Sequence, residues 1–198
     1  MEDVLDLARQ YQRRAWEVIA RTDVVNIWKS VGAEPNLVGS LRTGLLMKHR
    51  DIDFHIYSDP FWLEDSFRAA SLLGQRPGIR RIEYINGLDT DEKCVEWHAW
   101  YEDDEGEIWQ IDMIHMPKES PYAGWFEQVA DRISDALTPE TRLAVLRVKL
   151  DVPDGAKVPG VEIYRAVLDG GVTDYAGFLA WKQEHPEDAG LRWLPQVK

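Results

Sequence analysis

Two aspartates one residue apart, Asp51 and Asp53, stand in the segment DIDFHIYS (51–58). The rest of that segment alternates as a β-strand does. Period two puts Asp51, Asp53 and His55 on one face and Ile52, Phe54 and Ile56 on the other. The apolar set then packs inward and the two carboxylates are held side by side. Carboxylates so placed repel strongly at low dielectric and are costly to bury unpaired. A divalent cation removes the repulsion. Hard oxygen ligands suit Mg²⁺, with Mn²⁺ as a substitute, and such an ion keeps several waters and binds together with substrate phosphates. The bland alternative is an edge strand whose Asp-x-Asp is simply solvated.

Two neighbours weigh against the bland alternative. Gly39-Ser40 lies between a short strand, PNLVG (35–39), and the start of a helix, LRTGLLM (41–47). Backbone N–H groups at such a turn, with the Ser40 hydroxyl, are placed to hold phosphate oxygens, and Arg42 follows directly. Asp112 sits in the middle of the apolar strand IWQIDMIHM (108–116), where an acid needs a partner. Lys48 and Arg50 balance nearby acids. His55 lies on the acidic face. Glu96 and His98 share a face of the strand CVEWHAWYE (94–102) and border the place where an acceptor would sit. His115 is read as structural and His185 as exposed. Trp97, Trp100 and Trp109 alternate on one hairpin, mostly as core, with one available to stack on a flat ring. No Walker-A sequence, GxGxxG, HExxH, CxxC pair or Gly-x-Ser-x-Gly elbow is present.

The combination resembles the nucleotidyltransferase fold superfamily, the DNA polymerase β-like group. The matching residues are Val38-Gly39-Ser40, the spacer 41–50, Asp51-Ile52-Asp53-Phe54, and Asp112 as a third acid on a later strand. HRDID (49–53) is also similar to the segment found in antibiotic-modifying members such as lincosamide nucleotidyltransferases. The resemblance covers about residues 35–116. It implies that Asp51, Asp53 and Asp112 are catalytic carboxylates holding two Mg²⁺ ions. It further implies that Gly39, Ser40, Arg42 and Lys149 (in LRVKL, 146–150) bind a nucleoside triphosphate. A hydroxyl would attack the α-phosphorus in line and pyrophosphate would leave, with Asp112 within reach as general base.

These residues need a scaffold. Apolar positions from Val4 to Ile27 have helical spacing with a break near Thr22 or Asp23. Asp59-Pro60 reads as an N-cap and first helical residue of a helix over 60–73, with Phe61, Trp62, Phe67, Ala70 and Leu73 facing inward. Strands are expected at 79–85, 94–102 and 107–116, the last two joined at the tip DDEG (103–106). After Pro117 the pattern turns helical: 122–135, 138–150, 160–169 and 174–185, with Thr138-Pro139 a cap-then-proline start. The expected fold class is α+β, a mixed sheet flanked by helices, with a catalytic core over 1–117 and a helical C-terminal subdomain over 118–198.

Bulk composition bounds the rest. The chain has 198 residues, 44% of them hydrophobic, with nine tryptophans, one cysteine and a formal net charge of −12. The resemblance to antibiotic-modifying members implies a small-molecule acceptor; the charge repels a nucleic-acid backbone and hints weakly at a cationic acceptor. Nucleic acid is therefore an unfavoured partner, and the run GQRPGIRR (74–81) is the one candidate basic patch for transfer onto tRNA or protein. A nucleotide-binding domain without catalysis is the third alternative. The lone Cys94 and the lack of any apolar run near the roughly 20 residues that a membrane helix needs fit a cytoplasmic protein.

Overall fold

A computed structural model describes residues 2–186 and 193–195. Eight helices and five strands are present among them, in the order α1 (Glu2–Thr22), α2 (Val24–Ser30), β1 (Glu34–Val38), α3 (Gly39–Arg42), β2 (Asp51–Ser58), α4 (Leu63–Gly74), β3 (Ile79–Gly87), β4 (Cys94–Glu102), β5 (Ile108–Pro117), α5 (Trp125–Ala136), α6 (Pro139–Asp151), α7 (Gly160–Leu168) and α8 (Tyr175–Glu184). The architecture is α+β. No described helix is long and apolar enough to cross a membrane.

The chain separates into two compact units. One holds Arg13–Arg42 and Arg50–Glu127; the other holds the described residues among Met1–Gln12, Thr43–His49 and Gln128–Lys198. All five strands belong to the first and α6 to α8 to the second.

In the first unit the strands form one mixed sheet, ordered β1-β2-β5-β4-β3. Only β2 and β5 pair in parallel; β1–β2, β5–β4 and β4–β3 are antiparallel. The face bearing Ile52, Phe54, Ile56, Ile111 and Met113 is buried, and Trp28 of α2 donates through Nε1 to Met113 Sδ at 3.3 Å. Trp97 on the same face donates to Ser66 of α4 at 2.8 Å. Each such large buried side chain contributes about 2 kcal/mol by leaving water. The opposite face is divided. Towards the ends of β2 and β5 it carries Tyr57 and Met116, which with Cys94 form a small apolar cluster against Tyr122 and Ala123. Tyr57 donates to Glu127 (2.8 Å) and accepts from the Gly124 N–H (3.0 Å), so the start of α5 is tied down over this half. Burial and the neighbouring Glu127 carboxylate push the Tyr57 hydroxyl pKa upward, so it remains a donor. The other half of the face, where β2 and β5 begin, stays partly open.

Some local expectations hold and others change. The break after Thr22 is made by Asp23 in the left-handed region (φ 56°), with the Thr22 hydroxyl donating back to Val18 O at 2.7 Å. The helix expected over 41–47 is a single turn, Gly39–Arg42. Gly44 at φ 68° ends it, and Leu45, Leu46 and Met47 are buried without regular structure, held by Gln12 donating to Gly44 O and Leu46 O at 2.9 and 3.2 Å. Asp59-Pro60 is not a cap: its peptide bond is cis, α4 starts at Leu63, and Phe61 is used to pack on the His115 ring (4.6 Å). Trp62 and Phe67 are exposed rather than inward, at 57% and 46%, while Ala70 and Leu73 are buried. Thr138 does cap α6, its side chain accepting from the Thr141 N–H (3.2 Å) while Thr141 Oγ1 accepts from the Thr138 N–H (2.8 Å).

The β4–β5 hairpin is fixed through Asp103. Its Oδ1 accepts from the Glu105 and Glu107 N–H groups at 3.0 Å, and its Oδ2 accepts from Trp109 Nε1 at 2.9 Å and from Arg14 of α1. Burial raises the carboxyl pKa, but these donors outweigh it and hold the group down to about 2. A depressed carboxylate pKa stabilises above the unfolded value of roughly 4 and loses that effect as pH falls towards 2. Asp103→Asn is therefore expected to lower the midpoint of thermal unfolding at pH 7, with the gap to wild type closing between about pH 4 and pH 2. A gap constant across that range would remove Asp103 as the anchor of the hairpin.

Candidate functional site

The open half of the sheet face collects the expected acids. Strand parity places Asp51 and Asp53 on this face, and the parallel register sets Asp53 directly beside Asp112 and Asp51 beside Gln110. All three acids are half-buried. Across the other edge of β5, Asp112 faces His98 of β4. His98 Nδ1 donates to Asp112 Oδ1 at 2.5 Å, Gln110 Nε2 donates to the same oxygen at 2.8 Å, and His98 Nε2 lies 3.4 Å from Glu96 Oε2.

Gly39 closes the site from the β1 side. It has φ 67°, and a Cβ added there would fall 2.0 Å from Asp53 Oδ2 and 2.8 Å from Asp53 Cγ. The Asp53 carboxylate therefore lies against the backbone where β1 turns into α3, and only glycine admits both the conformation and the approach. Ser40 is buried at the next position, at 8% exposure. Arg42, exposed at the end of the turn, donates to Leu37 O at 3.1 Å. This set of oxygen donors around a glycine cradle fits a hard divalent cation held beside phosphate oxygens. Gly39→Ala is expected to cost at least about 1 kcal/mol in urea unfolding, because the side chain is forced into the left-handed region as well as into Asp53. A stability equal to wild type would show that the approach of Asp53 to this backbone is not as described.

Lys149 belongs to α6, in the second unit, and is only 6% exposed. It does not lie on a solvated helix face. Its ammonium is 3.4 Å from the Tyr164 hydroxyl and lies 5.6 Å from the centroid of that ring. No carboxylate pairs with it among the described residues, an arrangement costly for a buried cation.

The histidines divide as their surroundings dictate. His55 follows the acids on β2 but is 7% exposed beneath the Phe126 ring, 4.5 Å away, and burial holds its pKa down to about 4. It stays neutral and lies on the covered half of the face. His115 is fully buried, hydrogen-bonded to Ser58 Oγ at 2.7 Å, and burial likewise brings it to about 4. His185 is exposed and stacks on Trp181. Trp97 and Trp109 are core; Trp100, on the acid-bearing face, lies under the Arg81 guanidinium at 4.3 Å. Lys48 and Arg50 pair with Asp154 (2.9 Å) and Glu107 (2.6 Å).

A second group of ligand-type side chains, Glu92, Cys94 and Glu96, lies close together. Burial and the two neighbouring acids push the Cys94 thiol up to about 11, so it is a thiol and not a nucleophilic thiolate at neutral pH. The basic run 74–81 is neutralised in place: Arg76 pairs with Asp23 (2.5 Å), Arg80 with Glu102 (2.7 Å) and Arg81 with Glu83.

The convergence of His98 and Gln110 on Asp112 is what residue patterns missed. Parity alone puts each on one face of its own strand. Their meeting on one oxygen of Asp112 depends on which strands pair and in what register, and no local pattern carries that.

No protein-family profile matches the sequence, and no curated protein does. Solved structures do match. A cytoplasmic RNA terminal U-transferase superposes with a TM-score of 0.52 at 15% identity, covering 80% of this chain and 51% of that one. The GLD-2–GLD-3 non-canonical poly(A) polymerase complex gives 0.52 at 14%, covering 94% and 64%. Cid1, an RNA terminal uridylyl transferase, gives 0.53 at 18%, covering 75% and 46%. The chain thus spans about half to two thirds of the length of these proteins. At such identities the likeness is one of fold alone.

Proposed function

We propose that the protein transfers a nucleoside monophosphate from a nucleoside triphosphate to a hydroxyl, releasing pyrophosphate. The observation that carries this is the in-register pairing of Asp53 with Asp112, beside Asp51 and against the Gly39 backbone. Asp51, Asp53 and Asp112 would hold the divalent cations, which neutralise the triphosphate and make the acceptor hydroxyl more acidic. With both of its protein donors on Oδ1, Asp112 Oδ2 is the oxygen that would either hold a cation or accept the hydroxyl proton. The Gly39-Ser40 turn and Arg42 bind and orient the phosphates.

For the acceptor, the superposed proteins favour an RNA 3′ hydroxyl: they are RNA terminal uridylyl and poly(A) polymerases. This displaces the small-molecule acceptor as the first choice. The small-molecule alternative keeps one support of its own, the net charge of −12 together with the neutralised arginines of 74–81, which leave that run no free positive field for a phosphate backbone.

One assay separates these. Purified protein, Mg²⁺ and each α-labelled nucleoside triphosphate are incubated with a short RNA, and in parallel with aminoglycoside and lincosamide acceptors. Extension of the RNA by single nucleotides is expected, abolished in Asp51→Asn and Asp53→Asn. Label appearing only on a small molecule would reverse the choice of acceptor, and no transfer or nucleotide binding with intact folding would remove the activity.

A further inference from the structure

We propose that His98 is a positioning residue for Asp112, a role that rests on the site assigned above. Three facts carry it. His98 and Asp112 are direct partners in the β4–β5 register, and the imidazole donates to Oδ1 at 2.5 Å. Gln110, two residues along β5 on the same face, donates to that same oxygen at 2.8 Å. Glu96, two residues along β4, lies 3.4 Å from the far nitrogen of the ring. The imidazole is thus held between two carboxylates on one sheet face, with side-chain exposures of only 18% for His98 and 22% for Asp112.

Two donors converging on one oxygen fix the rotation of a carboxylate about its Cβ–Cγ bond. Oδ2 is then the oxygen left for a cation or an incoming hydroxyl. Partners of this kind orient a ligating carboxylate, and their loss commonly reduces metal affinity or activity about 10–100-fold. An ordinary cross-strand pair would contribute to folding alone. The difference is measurable, because a positioning role depends on a hydrogen-bond donor at the Nδ1 place and not on an imidazole as such.

The test is Mn²⁺ titration of the nucleotide-free protein by calorimetry, with kcat and KM for nucleotide transfer as a second readout. His98→Ala is expected to weaken Mn²⁺ binding about 10–100-fold and to lower kcat with little change in the KM for the triphosphate. His98→Asn, which restores a short side-chain donor, is expected to recover most of both. Wild-type Mn²⁺ affinity in a folded His98→Ala protein would overturn the proposal, as would an equal loss in folded His98→Asn. If His98→Ala does not fold, His98→Asn decides: Mn²⁺ affinity near wild type supports the positioning role. Asp112→Asn separates the levels. If it weakens Mn²⁺ binding and His98→Ala does not, the positioning role alone falls; if Asp112→Asn binds Mn²⁺ as wild type does, the metal site falls with it.

Discussion

Repulsion between carboxylates is the constraint around which the sheet is arranged. The parallel pairing of β2 with β5 sets Asp53 beside Asp112, with Asp51 two residues away on the same face. Without a counter-charge this is an unfavourable cluster for a half-buried surface. The fold keeps it together by making the other face costly to expose. Ile52, Phe54, Ile56, Ile111 and Met113 are buried, and a slip of one residue in register would turn them out and the acids in. Core burial thus supplies the force that holds the acids in place, and the local donors relieve part of the strain.

Asp112 has His98 and Gln110 on one oxygen, while Asp53 lies against the Gly39 backbone. The covered half of the face shows the contrast. There the same strand positions carry His55 and Tyr57, closed over by Phe126, Gly124 and Glu127, and His55 is neutral. One face of one sheet therefore changes from a small apolar cluster to an acidic platform within a few residues, and the boundary is set by where the start of α5 is anchored.

The parts of this that could be read from residues are those governed by period and by local turn chemistry. Alternation in 51–58 and 108–116 placed the acids on one face of each strand, and Thr138-Pro139 marked the start of α6 because a cap is a local hydrogen bond. What could not be read depends on long-range packing. Asp59-Pro60 has the composition of a cap, yet Phe61 is drawn to His115, and the helix begins later. Leu45, Leu46 and Met47 have helical spacing but are buried as an irregular stretch whose backbone is held by Gln12. Lys149 has a charged residue's composition and a core residue's surroundings. The three acids were legible as residues sharing a face, whereas the two donors that meet on Asp112 emerged only with strand register.

The central claim is that Asp51, Asp53 and Asp112 together form a divalent-cation site. The most direct measurement is a crystal structure of the protein grown with Mn²⁺ and a non-hydrolysable nucleoside triphosphate, with Mn²⁺ located by its anomalous scattering. The account predicts anomalous density between the three carboxylates, with the phosphates against the Gly39-Ser40 turn. Density confined to the Glu92–Cys94–Glu96 group, or none at the three aspartates with nucleotide bound elsewhere, would contradict it.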